Sequence, residues 1–357
     1  MAIALLVLAA ACVAALFLLP GSTPRISRRL HPNGLAVLEQ VPVNGVPLWV
    51  LIRSEDIANP VALFVHGGPG TSQLTLLRRS ARPLEKHFTV VDWDQRGAGK
   101  SFAAANDGRR MTIDDYVDDV LDLASYLSRR FRQEKILLVG HSWGSLIGLL
   151  AAARTPELFS AYVGIGQMSN AAESERLSWE WTLAQARAAN DAGAVATLER
   201  IGAPPYAGDD WQSRFMTERR LLGKFGGEYR GSRTGAFRVV LKNLVLSREY
   251  TLRDRVNFLR GIFRSVAALM PELFRTDLFV RVPEVEVPVW FCLGRHDYEV
   301  PAPLAARYFE QLRAPRKALV WFENSAHMAN TEESGKFNAF MVDMVLPTLK
   351  AQATTGV

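Results

Sequence analysis

A serine lies between two glycines in residues 140–144, Gly-His-Ser-Trp-Gly, directly after the apolar run Ile136–Val139. A stretch of small and apolar residues, 145–154, follows it and indicates a buried helix. A G-x-S-x-G motif at a sharp turn between a strand and a helix exposes the serine hydroxyl for nucleophilic attack. The helix N-terminus adds N–H groups and partial positive charge beside a developing oxyanion. We therefore predict that Ser142 is a nucleophile.

A serine at its ordinary pKa needs a base and an acid that orients the base. Asp297 follows the apolar run Val287–Leu293, and His327 follows the run Ala318–Phe322. Ligands of open α/β sheets bind at the carboxyl ends of the strands, and the order Ser, Asp, His is the one expected there. The sequence thus predicts a Ser142–His327–Asp297 triad. Less favoured substitutes are Glu299 for the acid and His296 or His141 for the base.

A glycine-rich turn, His66-Gly67-Gly68-Pro69-Gly70, follows the apolar run Val61–Val65. Such a turn lets a backbone N–H point at the carbonyl oxygen of a bound substrate. We predict that the N–H groups of Gly68 and Trp143 form the oxyanion hole. The alternative for this segment is a plain tight turn.

These residues need a parallel sheet to bring them together, and the pattern of the chain supplies one. Short apolar runs alternate with helical stretches such as Ile113–Phe131, which is typical of an α/β fold with helices on both faces of the sheet. An Asn44-Gly45 turn between two strand-like segments predicts a hairpin before the parallel strands. We expect a core formed by residues 35–167 and 283–350. A separate, mostly helical insertion is predicted at 168–282 because so long a loop must fold by itself.

The N-terminal segment predicts a membrane anchor. Residues 2–19 contain no charged side chain, and as a helix of about 27 Å they would nearly match the hydrocarbon core of a bilayer. No basic residue precedes the run, which disfavours a cleaved signal peptide. Arg25, Arg28 and Arg29 follow it, so the positive-inside rule weakly favours a cytoplasmic catalytic part and leaves the face of the membrane open.

The composition excludes several other classes of protein. The chain has 357 residues, 48% of them hydrophobic and 22% charged, which is ordinary for a globular protein. Two cysteines and six histidines without ligand spacing give no metal site, and the net charge of +6 is too diluted for nucleic-acid binding. Gly97-Ala98-Gly99-Lys100-Ser101 lacks the first glycine of a phosphate-binding loop, because that position is Asp94. We expect no cofactor and no nucleic-acid partner.

Three motifs together resemble the proline iminopeptidase branch of the α/β-hydrolases: the His66–Gly70 turn, the segment Asp94-Gln95-Arg96-Gly97-Ala98-Gly99-Lys100-Ser101, and Gly140-His141-Ser142-Trp143-Gly144-Ser145. The resemblance implies an α/β-hydrolase fold with a helical cap over the active site. It also implies a serine hydrolase that removes N-terminal residues, typically proline, from peptides or arylamides. The nucleophile, acid and base of the family would be Ser142, Asp297 and His327, and its oxyanion donors would belong to Gly68 and Trp143.

An aminopeptidase must also recognise a charged α-amino group, for which carboxylates near the scissile bond are suited. Candidates in the insertion are Glu173, Glu175 and Glu180, with Glu199 as a further one; each is also explained as an exposed partner of a nearby arginine. The basic insertion suits anionic or acyl substrates better than cationic ones. The main alternative is therefore an esterase or amidase that acts on small acyl or lipid-derived compounds. A catalytically silent binding module is a third interpretation.

Overall fold

The computed structural model describes residues 21–105, 111–206, 208–230 and 235–355. The membrane helix predicted at residues 1–20 lies outside the described residues. Within the described ranges, no helix is both long enough and apolar enough to cross a bilayer. The first described residues run beside a loop of the later chain, where the Ser22 N–H donates a 2.9 Å hydrogen bond to the carbonyl of Arg248.

The described residues contain eight strands, which form a single sheet in the order β1-β2-β4-β3-β5-β6-β7-β8. The strands are β1 (Leu35–Val43), β2 (Val46–Ser54), β3 (Val61–Val65), β4 (Thr89–Trp93), β5 (Ile136–His141), β6 (Phe159–Ile165), β7 (Val289–Gly294) and β8 (Lys317–Phe322). Strand β2 pairs antiparallel with β1 and β4, whereas β3 to β8 pair parallel. The mostly parallel sheet predicted from the sequence is confirmed.

The first two strands form the predicted hairpin. Val43 pairs with Val46 across the turn, and Asn44 and Gly45 have φ angles of 46° and 77°. Two successive positive φ angles match the right-handed twist of the flanking strands, and Asn-Gly is the pair of residues that adopts them most easily.

Helices connect the parallel strands and cover both faces of the sheet. In the sheet-forming part of the described chain these are α1 (Leu74–Ser80), α2 (Ile113–Phe131), α3 (Trp143–Arg154), α10 (Ala302–Gln311), α11 (Ala329–Glu332), α12 (Ser334–Phe340) and α13 (Leu346–Thr355), with a π-helical turn at Met341–Val345 and 3₁₀ turns at Arg82–Lys86, Gly99–Ala105 and Pro156–Leu158. On one face, Val117 and Ile147 belong to the same apolar cluster as Leu138; on the other, Phe337 belongs to the cluster around Val139. Alternate residues of β5 thus enter opposite cores, as expected for a strand that is buried on both sides.

A helical region lies between β6 and β7, within the range 168–282 predicted as an insertion. Its described helices are α4 (Ala171–Ala188), α5 (Ala192–Ile201), α6 (Trp211–Lys224), α7 (Gly235–Val245), α8 (Leu252–Leu273) and α9 (Leu278–Arg281). Leu183, Leu198 and Leu221 belong to one apolar cluster, whose other buried residues, such as Ala186 and Tyr206, lie in the same region. Helix α8 instead joins the rest of the fold, because Phe258 packs in one cluster with Leu74.

Candidate active site

Ser142 occupies the turn between strand β5 and helix α3. Its φ and ψ angles are 55° and −124°, a combination that is costly for a residue with a Cβ atom. Gly144 allows this turn to pack against the end of β3, since a Cβ there would lie 2.1 Å from the carbonyl oxygen of Val65. The sequence therefore folds into a strained turn that presents the hydroxyl of Ser142 at the carboxyl edge of the sheet.

His327 and Asp297 form a buried pair at the same edge. Asp297 follows β7 and His327 follows β8, and the Nδ1 of the imidazole lies 2.8 Å from Oδ2 of the carboxylate. Burial raises the pKa of Asp297, although the adjacent imidazole opposes this rise. Burial by itself lowers the pKa of His327, but the charges of Asp297, Glu299 and Glu228 outweigh it and raise that pKa to about 9.

The serine and the histidine line one cavity of about 680 Å³. Among the described residues, however, the hydroxyl of Ser142 makes no hydrogen bond to His327. Catalytic hydrogen bonds of empty sites are often long and shorten only when substrate is bound. The structure thus places the three predicted residues at one edge of the sheet, but the hydrogen bond from the hydroxyl of Ser142 to His327 is not formed. The triad therefore stays a prediction.

His141 supports the position of His327 and is poorly suited to be the base. Its Nε2 lies 3.0 Å from the carbonyl oxygen of His327, and its Nδ1 lies 3.2 Å from the side-chain amide of Gln73. Burial, reinforced by the charge of His327, lowers the pKa of His141 to about 3. Because both ring nitrogens of the neutral His141 have hydrogen-bond partners, His141 stabilises the loop that carries His327.

The side chain of Gln95 connects the two segments that carry the predicted oxyanion donors, Gly68 and Trp143. The Nε2 of Gln95 donates to the carbonyl of His66 at 2.8 Å, and its Oε1 accepts from the indole of Trp143 at 2.9 Å. Trp143 is the first residue of α3, so its N–H belongs to the helix turn whose amides have no intrahelical partner. Gly68 lines the same cavity as Ser142. Two candidate donors therefore flank the serine, and their assignment as oxyanion hole also stays a prediction.

The four carboxylates predicted for substrate binding lie in different environments. Glu173 pairs with Arg307 at 2.7 Å, Glu180 pairs with Arg176 at 2.5 Å, and Glu199 pairs with Arg187 at 2.9 Å, all in partly exposed positions. None of these three lines the cavity that holds Ser142. The fourth, Glu175, faces inward and pairs with the partly buried guanidinium of Arg219. The structure thus brings only Glu175 into the charged surroundings of the cavity.

Two carboxylates that the sequence analysis did not select as amine-binding groups, Glu228 and Glu299, line the cavity directly. The Oε2 of Glu299 lies 4.0 Å from the Nε2 of His327. Burial, and then the charge of Glu299, raise the pKa of Glu228 to about 8. The missed signal for Glu299 was its position two residues after Asp297, on a loop already assigned to the site.

The structure explains why the segment 97–101 is not a phosphate-binding loop. The N–H of Lys100 donates to the carboxylate of Asp94 at 2.7 Å, and its ammonium pairs with Asp254 at 2.8 Å. Both groups that would bind a phosphate are already occupied. Within the described part of the chain, no cluster of three or more histidine, cysteine, aspartate or glutamate residues is arranged to hold a metal ion.

The family model for the alpha/beta hydrolase fold matches residues 60–334, from strand β3 to the helices that follow β8. The chain belongs to this family. The matched range includes Ser142, Asp297 and His327, so the resemblance drawn from the motifs is confirmed at the level of the family.

Relatives of this α/β-hydrolase include aminopeptidases and other hydrolases. The protein "Probable aminopeptidase YbaC" of Bacillus subtilis (strain 168) is 35% identical over 308 residues, covering 85% of this chain and 95% of that protein. "Putative carbamate hydrolase RutD" of Agrobacterium fabrum is 27% identical, with 82% and 95% covered. The crystal structure of a proline iminopeptidase-related protein from Thermus thermophilus aligns with a TM-score of 0.60 at 19% identity, covering 88% of this chain and 99% of that one. The fold of the chain is thus similar to that of a proline iminopeptidase-related protein, in agreement with the resemblance of the motifs.

Proposed function

We propose that this α/β-hydrolase is a serine aminopeptidase that releases N-terminal residues, proline above all, from short peptides or arylamides. One observation supports the proposal most: Glu228 and Glu299 line the same cavity as Ser142 and lie beside His327. A cluster of carboxylates next to a nucleophile is suited to hold the ammonium group of a substrate while the adjacent acyl carbon is attacked. The similarity to YbaC, which is named a probable aminopeptidase, supports the same activity.

The proposed reaction is an acyl transfer in two steps. The Oγ of Ser142 attacks the carbonyl carbon of the first residue while the Nε2 of His327 accepts the hydroxyl proton. The N–H groups of Gly68 and Trp143 stabilise the oxyanion, and the proton on His327 passes to the leaving amine as the scissile bond breaks. Water then hydrolyses the acyl-enzyme with His327 again as base. Asp297 holds the imidazole through its Nδ1, at 2.8 Å.

The charged groups nearest His327 favour a cationic substrate group, while the exposed side chains of Arg220, Lys224 and Arg238 also line the cavity. Arg219 is a partly buried cation of this region, and it interacts with Glu175, Glu218 and Glu299 and more weakly with Glu228. One guanidinium does not neutralise four carboxylates, and burial together with the mutual repulsion raises the pKa of Glu175 to about 7. An ammonium group at Glu228 and Glu299 would supply the missing positive charge. The residues proposed to bind the amine are therefore Glu228 and Glu299, with Glu175 and Arg219 behind them.

A second candidate function is an esterase or amidase for acyl compounds, and the opposite wall of the cavity favours it. Helix α8 contributes Phe258, Ile262 and Phe263 to the lining, together with Met270. An apolar wall of this size would bind an acyl chain or an apolar leaving group. The similarity to RutD, which is named a carbamate hydrolase, also agrees with a broader hydrolase activity.

We further propose that residues 2–19 anchor the enzyme in a membrane, since this run carries no charge and has nearly the length of a bilayer core. The described chain starts beside Arg248, close to exposed Leu246. Helix α8 carries Val256, Leu259 and Phe263 exposed at helical spacing. An apolar face near the point where the anchor joins the protein is suited to rest on a lipid surface.

The deciding experiment compares Ser142→Ala with Ser125→Ala, a control on helix α2 outside the cavity. We expect Ser142→Ala to lose labelling by an uncharged fluorophosphonate and all turnover of proline β-naphthylamide and p-nitrophenyl acetate, with an unchanged circular dichroism spectrum. Ser125→Ala should behave like the wild type. Retained labelling of Ser142→Ala would reject the nucleophile. Ester turnover by the wild type without any arylamide turnover would reject the aminopeptidase and leave the second candidate.

A further inference from the structure

The imidazole of His327 lies between two carboxylates. Its Nδ1 is 2.8 Å from Asp297, and its Nε2 is 4.0 Å from the Oε2 of Glu299. Nε2 is the nitrogen that must accept the proton of Ser142 in the proposed reaction. Glu299 therefore faces the one atom of the base that has to be free of a proton before attack.

The other groups around His327 counter this effect only in part. Glu228 reaches it from the segment before helix α7, and above its own pKa of about 8 its charge adds to those of Asp297 and Glu299. His141, from strand β5, places its ring centre 4.8 Å from that of His327, but burial keeps His141 neutral. Arg219 bonds to Glu175 and Glu218 and also interacts with Glu299, so it offsets part of the negative charge beside His327. In the empty site the imidazole is thus exposed to more negative charge than one protonated ring neutralises.

We propose that Glu299 is a specificity-determining residue that keeps His327 protonated in the empty enzyme and releases it as a base when a substrate ammonium group binds at Glu299 and Glu228. This inference rests on the proposed function, because it assumes that Ser142 and His327 act together. It goes further in one respect: binding of the substrate's ammonium group not only positions the substrate but also converts His327 into an active base. A neutral ester brings no cation, so near neutral pH it is hydrolysed only by the small fraction of the enzyme in which His327 is unprotonated.

The proposed activation leaves the total charge of the site unchanged, because a bound ammonium group takes the place of the proton on His327. The empty site holds an imidazolium with a proton on Nε2 beside the carboxylate of Glu299. When the ammonium group pairs with Glu299 and Glu228, the Nε2 proton leaves to solvent, and one cation has replaced another. The neutral Nε2 can then accept the proton of Ser142. A unit charge placed at hydrogen-bonding distance from these carboxylates would lower the pKa of His327 by about one to two units.

The test measures how fast an uncharged fluorophosphonate labels Ser142 in the full-length protein as a function of pH. In this reaction the serine Oγ bonds to phosphorus, fluoride leaves, and the serine proton goes to the base. For the wild type we expect the rate to rise about tenfold per pH unit until near pH 9, the pKa of His327. Pyrrolidinium, a small cation that resembles the proline amine, should shift this rise downward by about one to two pH units and so accelerate labelling at pH 7. Simple occupation of an active site would only slow labelling.

Four variants separate the proposal from simpler explanations. Glu299→Gln should label rapidly already at pH 7 and should not be accelerated by pyrrolidinium, whereas Glu299→Asp should keep the response. Glu323→Gln, which removes a surface carboxylate paired with Arg295, is the matched control and should behave like the wild type. Glu228→Gln should shift the profile in the same direction as Glu299→Gln, which guards against a local folding defect in one variant.

Two results would overturn the proposal. One is a pH profile of Glu299→Gln that coincides with that of the wild type; the other is inhibition by pyrrolidinium at every pH. If the wild type hydrolyses prolyl arylamides through Ser142 while either result is obtained, only the activation by Glu299 fails. If labelling behaves as expected but no aminoacyl arylamide is hydrolysed, the aminopeptidase assignment fails and the electrostatic control of His327 stands.

Discussion

The indole Nε1 of Trp143 donates a 2.9 Å hydrogen bond to the side-chain carbonyl of Gln95. Through its amide group the same glutamine holds the carbonyl of His66, and its backbone N–H donates to the His66 ring at 3.1 Å. One buried side chain therefore connects the loop that follows β4, the turn that carries Ser142 and the glycine-rich loop that carries Gly68. The relative position of the two proposed oxyanion donors depends on Gln95.

We expect Gln95→Ala to lower kcat for any substrate by about 10- to 100-fold and to reduce the free energy of unfolding by about 2–4 kcal/mol. The substitution leaves the indole N–H of Trp143 and the backbone carbonyl of His66 buried without this hydrogen-bond partner. An unsatisfied buried polar group costs about 1–3 kcal/mol. The loss in kcat would follow from displaced oxyanion donors, because such a donor contributes mainly in the transition state. Steady-state kinetics and urea unfolding measure the two effects.

Gln133→Ala is the control for this variant. Gln133 also makes two hydrogen bonds through its side chain, at 2.9 Å each, to the N–H of Val61 and the carbonyl of Asn59 at the other end of β3. It should lose stability but keep kcat. Equal loss of kcat in both variants would show that Gln95 acts through general stability and not by placing the donors.

The three proposed triad residues could be found from the sequence because their positions depend on local signals. Ser142, Asp297 and His327 each follow an apolar run, and each of these runs lies in a strand or overlaps one, buried for Ser142 and Asp297 and half-buried for His327. Parallel strands then bring distant residues to one edge, a rule that needs no knowledge of the helical region. The ends of these three strands differ from the predicted ends by at most two residues, as for β7, expected at Val287–Leu293 and observed at Val289–Gly294.

The amine-binding carboxylates could not be found in the same way. Glu228 follows helix α6 in a segment without regular structure, and only a tertiary contact brings it to the site: the N–H groups of Tyr298 and Glu299 both donate to the carbonyl of Gly227. Along helix α4 the sequence showed several glutamates, but the direction each one faces depends on how the helix packs. Glu175 turns toward Arg219, whereas Glu173 and Glu180 turn toward solvent.

Glu228→Gln should reduce kcat/KM for proline β-naphthylamide by about 10- to 100-fold, since hydrogen bonds to charged groups contribute about 1.5–3 kcal/mol. Turnover of p-nitrophenyl acetate should not fall, because this ester has no ammonium group to bind. Kinetics with both substrates measure the difference, and Glu180→Gln serves as the surface control on helix α4. An equal loss for both substrates would contradict a role of Glu228 in amine recognition.

Deletion of residues 2–19 should transfer the protein from the membrane fraction to the soluble fraction without changing its fluorophosphonate labelling. The reason is the loss of an uncharged run of bilayer length, while the fold from Gly21 onward keeps its contacts. Carbonate extraction of cell membranes measures the distribution, and deletion of the last five residues is the control. Recovery of a full-length chain in the soluble fraction, or of a mature chain that lacks the run, would contradict an uncleaved anchor.

Arg219→Met should destabilise the protein by about 3–5 kcal/mol at pH 8, because it removes the cation that contacts Glu175 and Glu218 and leaves their buried charges uncompensated. The loss should be smaller near pH 6. Burial has already raised the pKa of Glu175 to about 7, and removal of the guanidinium raises it further above its value in the unfolded chain. A carboxyl whose pKa is raised in the folded state destabilises that state at high pH, and the penalty disappears as the pH falls through the raised pKa.

Urea unfolding at the two pH values measures the effect, with Arg214→Met, in an exposed pair with Asp210, as the control. A destabilisation of Arg219→Met that is the same at pH 6 and pH 8 would show that Arg219 contributes packing and does not compensate the charges of Glu175 and Glu218.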